Sequence, residues 1–175
     1  MTLRLILGDQ LNHQHSWYQQ TDDNVIYCLF EMQQETNYVT HHIQKVVAFF
    51  AAMRNFAQQL SATGHRVVYY RLDDKHNTQS LTENLTAIIA QYQVQKLEYQ
   101  LPDEYRLDQQ LQAFCDTLSI DYAAVDTEHF MTTRHELEAF FKGKKTYIME
   151  TFYRNMRRKY NIMMEGDQPL TGQWN

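Results

Sequence analysis

The sequence predicts a doubly wound α/β fold, a parallel five-stranded sheet in the order 3-2-1-4-5 with helices on both faces. Three observations lead there. Short apolar runs of the kind that form buried strands alternate with longer segments of helical period along the first 125 residues. Strands separated by helices imply a parallel sheet covered on both sides. Crossovers between parallel strands are almost always right-handed, which limits how successive strands can be laid down.

The elements follow in order. Residues 3–7 are a short apolar run closed by Gly8, and residues 24–31 (NVIYCLFE) are β-rich after a polar turn, Thr21-Asp22-Asp23. Residues 41–60 form the clearest helix. Ile43, Val46, Val47, Phe50, Met53, Ala57 and Leu60 keep a 3.6-residue period, and Gly64 supplies the stop. Phe49 and Phe56 lie beside that stripe and read as its margin, or as a second face buried against another domain. Strands at 66–71, 96–100 and 120–125 alternate with helices at 80–92 and 105–117, and two more helices fall at 134–142 and 150–160. The expectation is a Rossmann-like α/β domain over residues 1–145, followed by a helix and linker over 146–175.

A chain of 175 residues can bury one real core, and 43% hydrophobic content argues against disorder. No apolar run approaches the roughly 18–20 residues that span a bilayer, and the opening residues read as a strand, so a cytoplasmic protein is expected. Cys28 and Cys115 read as buried thiols of a reducing compartment. The net charge of −5 is unevenly spread. Residues 1–133 hold 8 Lys/Arg against 16 Asp/Glu, whereas residues 134–159 hold 8 against 3. The main domain is therefore too acidic to grip nucleic acid. The basic stretch with Arg154, Arg157, Arg158 and Lys159 reads as a solvated helix face or a docking face, phosphate contact being the alternative.

In an open parallel sheet, ligands bind beyond the carboxyl ends of the strands where the strand order reverses, here between strands one and four. The loop after strand one is Gly8-Asp9-Gln10-Leu11-Asn12, the loop after strand four is residues 101–106, and Glu31 and Met32 end strand two. Gly8 lets backbone amides approach a ligand. Asp9, Gln10, Glu31 and Glu104 can hold hydroxyls and ring N–H groups, and Met32 and Tyr105 can pack on a flat ring. The plainer alternative is that Asp9 and Asp103 only cap helices. GxGxxG and GxxxxGK[ST] are both missing, which argues against ordinary NAD or ATP use, and an acidic crevice suits a neutral heterocycle better than a phosphorylated one. His13, His15, His41 and His42 match no metal-binding spacing and read as exposed polar residues. No catalytic residue can be assigned.

Residues 152–175, FYRNMRRKYNIMMEGDQPLTGQWN, resemble the FYR-x-MR…LM…P-x-GG-x-WN signature of the bacterial photolyase-related proteins, also called iron–sulfur bacterial cryptochromes and photolyases. Thr171 stands where that signature has its first glycine. LRLILGDQLN (3–12), FEM (30–32), HHIQKVVAFFAAMRNFA (41–57), VVYYRLDD (67–74) and LPDEYR (101–106) resemble the family in the same order. The resemblance implies the N-terminal antenna-binding domain of such a protein. In the family this domain holds 6,7-dimethyl-8-ribityllumazine and passes excitation to FAD in a following helical domain, which also holds the iron–sulfur cluster. FAD there drives light-dependent repair of (6-4) photoproducts in damaged DNA, a lyase reaction, or supports blue-light sensing. Gly8, Asp9, Gln10, Glu31, Met32 and Glu104 match the motifs at the lumazine site. The FAD, the cluster and the repair residues would lie in an absent C-terminal flavin domain. Two cysteines cannot hold a cluster that usually needs four thiolates. The expected partners are that domain and, through it, DNA, with self-association through residues 150–175 a further expectation. The competing reading is a standalone Rossmann-like module that binds another small ligand or a protein.

Overall fold

A computed structural model describes residues 1–37 and 39–174. Asn175, the last residue of the tail signature, lies outside them. The sheet strands are β1 (Thr2–Leu5), β2 (Val25–Phe30), β3 (Arg66–Tyr70), β4 (Lys96–Gln100) and β5 (Asp121–Val125). All pair in parallel, in the predicted order β3-β2-β1-β4-β5. Leu3 of β1 sits between Ile26 of β2 and Leu97 of β4. A short helix, α1 (Gln34–Asn37), precedes three crossover helices: α2 (Ile43–Ala62), α3 (Leu81–Tyr92) and α4 (Tyr105–Cys115).

Two cores flank the sheet, as the side-chain alternation of its strands requires. On one face Leu3, Leu5, Ile26, Cys28 and Leu97 meet Leu85 and Ile88 of α3 and Leu111 of α4. On the other, Ile6, Tyr27 and Leu29 meet Phe50, Met53, Phe56 and Leu60 of α2. Burial alone pushes the Cys28 thiol far up, and burial first, then Asp116, pushes that of Cys115 up to about 11, so both are inert as thiolates near neutrality.

Three expectations for residues 1–62 need correction. The stripe of α2 is displaced: Phe56 is in the core, but Ile43 and Val47 are 68% and 59% exposed. The reason is length. A helix of 20 residues runs about 30 Å, whereas the six residues of β2 span about 20 Å. The first turns of α2 therefore overrun the sheet. Strand β1 stops at Leu5 rather than Leu7, because the Leu7 N–H donates to the Gln10 side chain instead of continuing a ladder. His15 is buried, not exposed. Its Nδ1 accepts from the Trp17 N–H and so caps the 3-10 turn Ser16–Tyr18, while its Nε2 lies 2.9 Å from the Asp126 carbonyl oxygen.

The chain divides into two compact units, Met1–His129 and Phe130–Asn175. The second contains α5 (Glu136–Phe141), α6 (Met149–Tyr160) and a hairpin of β6 (Met164–Glu165) with β7 (Gln168–Pro169). Gly166 takes a φ of +57° at the hairpin turn, a conformation that costs glycine little. Phe140 and Phe152 meet edge to face at 5.1 Å. Arg157 is not on the solvated face expected of it. It is 6% exposed and donates to the carbonyls of Ile162, Met163 and Trp174, which ties α6 to the tail. Arg157 and Arg158 both lie over the Trp174 ring, at 5.4 Å and 4.5 Å. Among the described residues no helix is long and apolar enough to cross a membrane.

Candidate functional site

The carboxyl end of the sheet carries a cavity of about 300 Å³, inside the first unit. Its walls come from both sides of the strand crest. Leu5 and Leu7 follow from β1, Phe30 and Met32 from β2, Met53 from α2 and Leu81 from α3. The rim is polar: Asp9, Gln34, Glu104, Arg106 and Gln110. Phe30 and Met32 share a face because they are two apart at a strand end, which turns the intervening Glu31 to the opposite side.

Of the residues singled out by sequence, Gly8, Asp9, Met32 and Glu104 line this cavity. Gly8 borders it, yet its missing Cβ has a second use. A Cβ there would lie 2.3 Å from Phe49 Cζ and 3.0 Å from the Met53 sulfur, so an aromatic ring occupies the space a side chain would need. Surrounding protein atoms and, to a lesser extent, Asp103 push the Asp9 carboxyl above the ordinary aspartate value, although the residue as a whole is exposed. Glu104 is the N-cap of α4. Its carboxylate accepts from Arg106 Nε at 2.9 Å and from the Leu107 N–H at 2.7 Å, and these bonds hold its pKa below the usual value. The cap is thus Glu104 and not Asp103, which faces His129 at 3.3 Å.

Three residues stand elsewhere. Gln10 is buried, and its amide crosses the point where strand order reverses. Its Nε2 donates to the Gln100 and Leu101 carbonyls, and its Oε1 accepts from Leu7. Glu31 is fully buried behind the cavity wall and accepts from Arg54 Nε (2.5 Å) and Nη2 (2.9 Å), Tyr69 Oη (2.7 Å) and the Leu72 N–H (2.9 Å). Burial alone would raise its pKa, but these bonds outweigh it and hold the carboxylate below its ordinary range. Tyr105 is 73% exposed and does not reach the cavity.

Sequence reasoning placed Arg106 here only as part of the 101–106 loop, and did not find Phe30, Met53, Leu81 or Gln110 at the cavity. Each has an ordinary place in a strand or helix pattern, and only the packing of α2, α3 and α4 over the crest brings them together. A polar and more open depression of about 650 Å³ lies at residues 16–25 beside Arg4. It is away from the strands' carboxyl ends, where parallel sheets hold their ligands. Among the described residues no group of three or more His, Cys, Asp or Glu side chains is placed to hold a metal ion.

The profile of a family described as deoxyribodipyrimidine photo-lyase-related protein matches residues 4–175. A (6-4) photolyase of Agrobacterium fabrum (strain C58) is 35% identical over 176 residues, covering 99% of this chain and 34% of that protein. The chain therefore spans about a third of the length of this relative. An uncharacterized protein of Acanthamoeba polyphaga mimivirus is 21% identical over 141 residues, covering 78% of this chain and 69% of that one.

Proposed function

Because the chain belongs to the deoxyribodipyrimidine photo-lyase-related family, we propose that its first unit binds a flat antenna chromophore, 6,7-dimethyl-8-ribityllumazine, at the carboxyl end of the sheet. The unit would serve a photolyase- or cryptochrome-like flavoprotein, used in light-driven DNA repair or blue-light sensing, by passing excitation to FAD bound outside this chain.

The observation that carries the reading is the cavity itself. Its volume of about 300 Å³ is at the small end of ligand pockets, room for a bicyclic ring with little to spare. The apolar walls of Leu5, Phe30, Met32 and Leu81 suit a flat ring. The rim offers carboxylates and amides, from Asp9, Glu104, Gln34 and Gln110, which suit a polyol and ring N–H groups. Arg106 is engaged by Glu104, and no glycine-rich phosphate loop is present, so a neutral chromophore fits better than a nucleotide.

Fluorescence titration of ribityllumazine into the protein tests this. Binding is expected for the wild type. It should be lost in Met32→Trp, which fills the cavity, and weakened in Glu104→Ala, which removes an acceptor from the rim. Equal affinity in the wild type and Met32→Trp would reject the site.

A further inference from the structure

We infer that Arg54, which lines no part of the cavity, sets its ligand affinity by clamping Glu31 from behind; the inference rests on the chromophore-site reading above. The clamp joins two elements that build the cavity, α2 and the end of β2, to β3 beside them. Arg54 sits on α2, next to Met53, a cavity wall. Glu31 follows β2 and lies between Phe30 and Met32, two further walls that point the other way. Tyr69 of β3 and the Leu72 N–H complete the shell, so every Glu31 carboxylate bond is spent on protein.

The backbone of the same residue is held as firmly. The Glu31 carbonyl accepts from Asn77 Nδ2 at 2.8 Å. Asn77 Oδ1 in turn accepts from the buried Asn84 of α3, whose Nδ2 lies 3.9 Å from the Met32 sulfur. A fork of guanidinium on carboxylate fixes angle as well as distance. Releasing it frees the strand end carrying Met32 from the helix carrying Met53, and opposite walls of a small cavity lose their spacing. Arg54 is a positioning residue, and Glu31 acts through it rather than on the ligand.

A built-in control separates positioning from general stability. Arg4 makes a similar ion pair with Glu98 (2.8 Å) on the same sheet face and donates to Tyr27 Oη, but at mid-strand, and none of the three lines the cavity. Ribityllumazine is titrated by fluorescence into the wild type, Arg54→Gln, Arg54→Lys, Tyr69→Phe and Arg4→Gln, with the thermal midpoint of each recorded. Arg54→Gln should weaken binding about tenfold and Tyr69→Phe a few-fold. Arg54→Lys, which keeps one charged bond, should fall between Arg54→Gln and the wild type, and the emission maximum of the bound ligand should shift in the same order. Arg4→Gln should bind as the wild type does, whatever its midpoint. Wild-type affinity in Arg54→Gln, or an equal loss in Arg4→Gln, overturns the inference. Should Arg54→Gln fail to fold, Tyr69→Phe decides by the same criterion. No binding by the wild type refutes the chromophore-site reading itself, and this inference with it.

Discussion

Glu31 is a carboxylate with no exposed surface, facing a guanidinium that is 44% exposed. Its folded-state pKa is depressed. The stability it contributes is therefore complete above the unfolded-state value of about 4.3 and is lost as pH falls through the depressed one. Glu31→Gln should cost about 2 kcal/mol at pH 7, less than a fully buried pair because Arg54 stays partly hydrated. Between pH 5 and pH 3 the wild type should lose stability faster than the variant; parallel urea-denaturation curves would mean the pair contributes nothing. At Gly8 the space belongs to Phe49. Gly8→Ala should destabilise by about 1–3 kcal/mol through overpacking. The penalty should shrink in a Phe49→Leu background, which a double-mutant cycle measures. The sequence reads the space at Gly8 as room for a ligand; it does not show that an aromatic ring from α2 takes part of it, because that contact depends on how the helix lies on the sheet.

At the scale of elements, periodicity made the strands and helices legible to within two residues at most ends. The five apolar runs and the Gly64 stop, with φ of +92° after α2, are local signals that local chemistry obeys. What stayed hidden was set by distance. The Gln10 amide reaches residues about 90 positions away, and the Glu31 partners lie on α2, on β3 and in the loop after it. Polar residue types at a crest look the same whether they face a ligand or staple two loops. Helix α6 gives the reverse case, since Arg157 looked like surface charge and is an internal tie. Arg157→Met should leave three carbonyls without their donor, at a cost of about 2 kcal/mol. It should speed amide exchange at Ile162 and Leu170 and red-shift the emission of Trp174, with the first unit unchanged. Unaltered exchange in the tail would show that its order comes from elsewhere.

For the molecule as a whole, the charge split and the exposed side chains bear on partners. Tyr147, Met149, Met163 and Leu170 of the second unit are all more than 60% or nearly so exposed, at 74%, 64%, 60% and 61%. Exposed apolar side chains that form a contiguous patch commonly mark an interface. Sedimentation should accordingly detect concentration-dependent self-association that Tyr147→Ser/Met149→Ser abolishes; a monomeric wild type at all concentrations would rule it out. In the first unit, the proposed function rests on the cavity at the carboxyl end of the sheet being the chromophore site. Amide chemical-shift mapping of the labelled protein titrated with ribityllumazine tests it most directly. Shifts concentrated at Gly8, Asp9, Met32, Glu104 and Leu107 are expected. Shifts centred instead on Trp17 and Asp22–Asn24, or no shifts at saturating ligand, would contradict it.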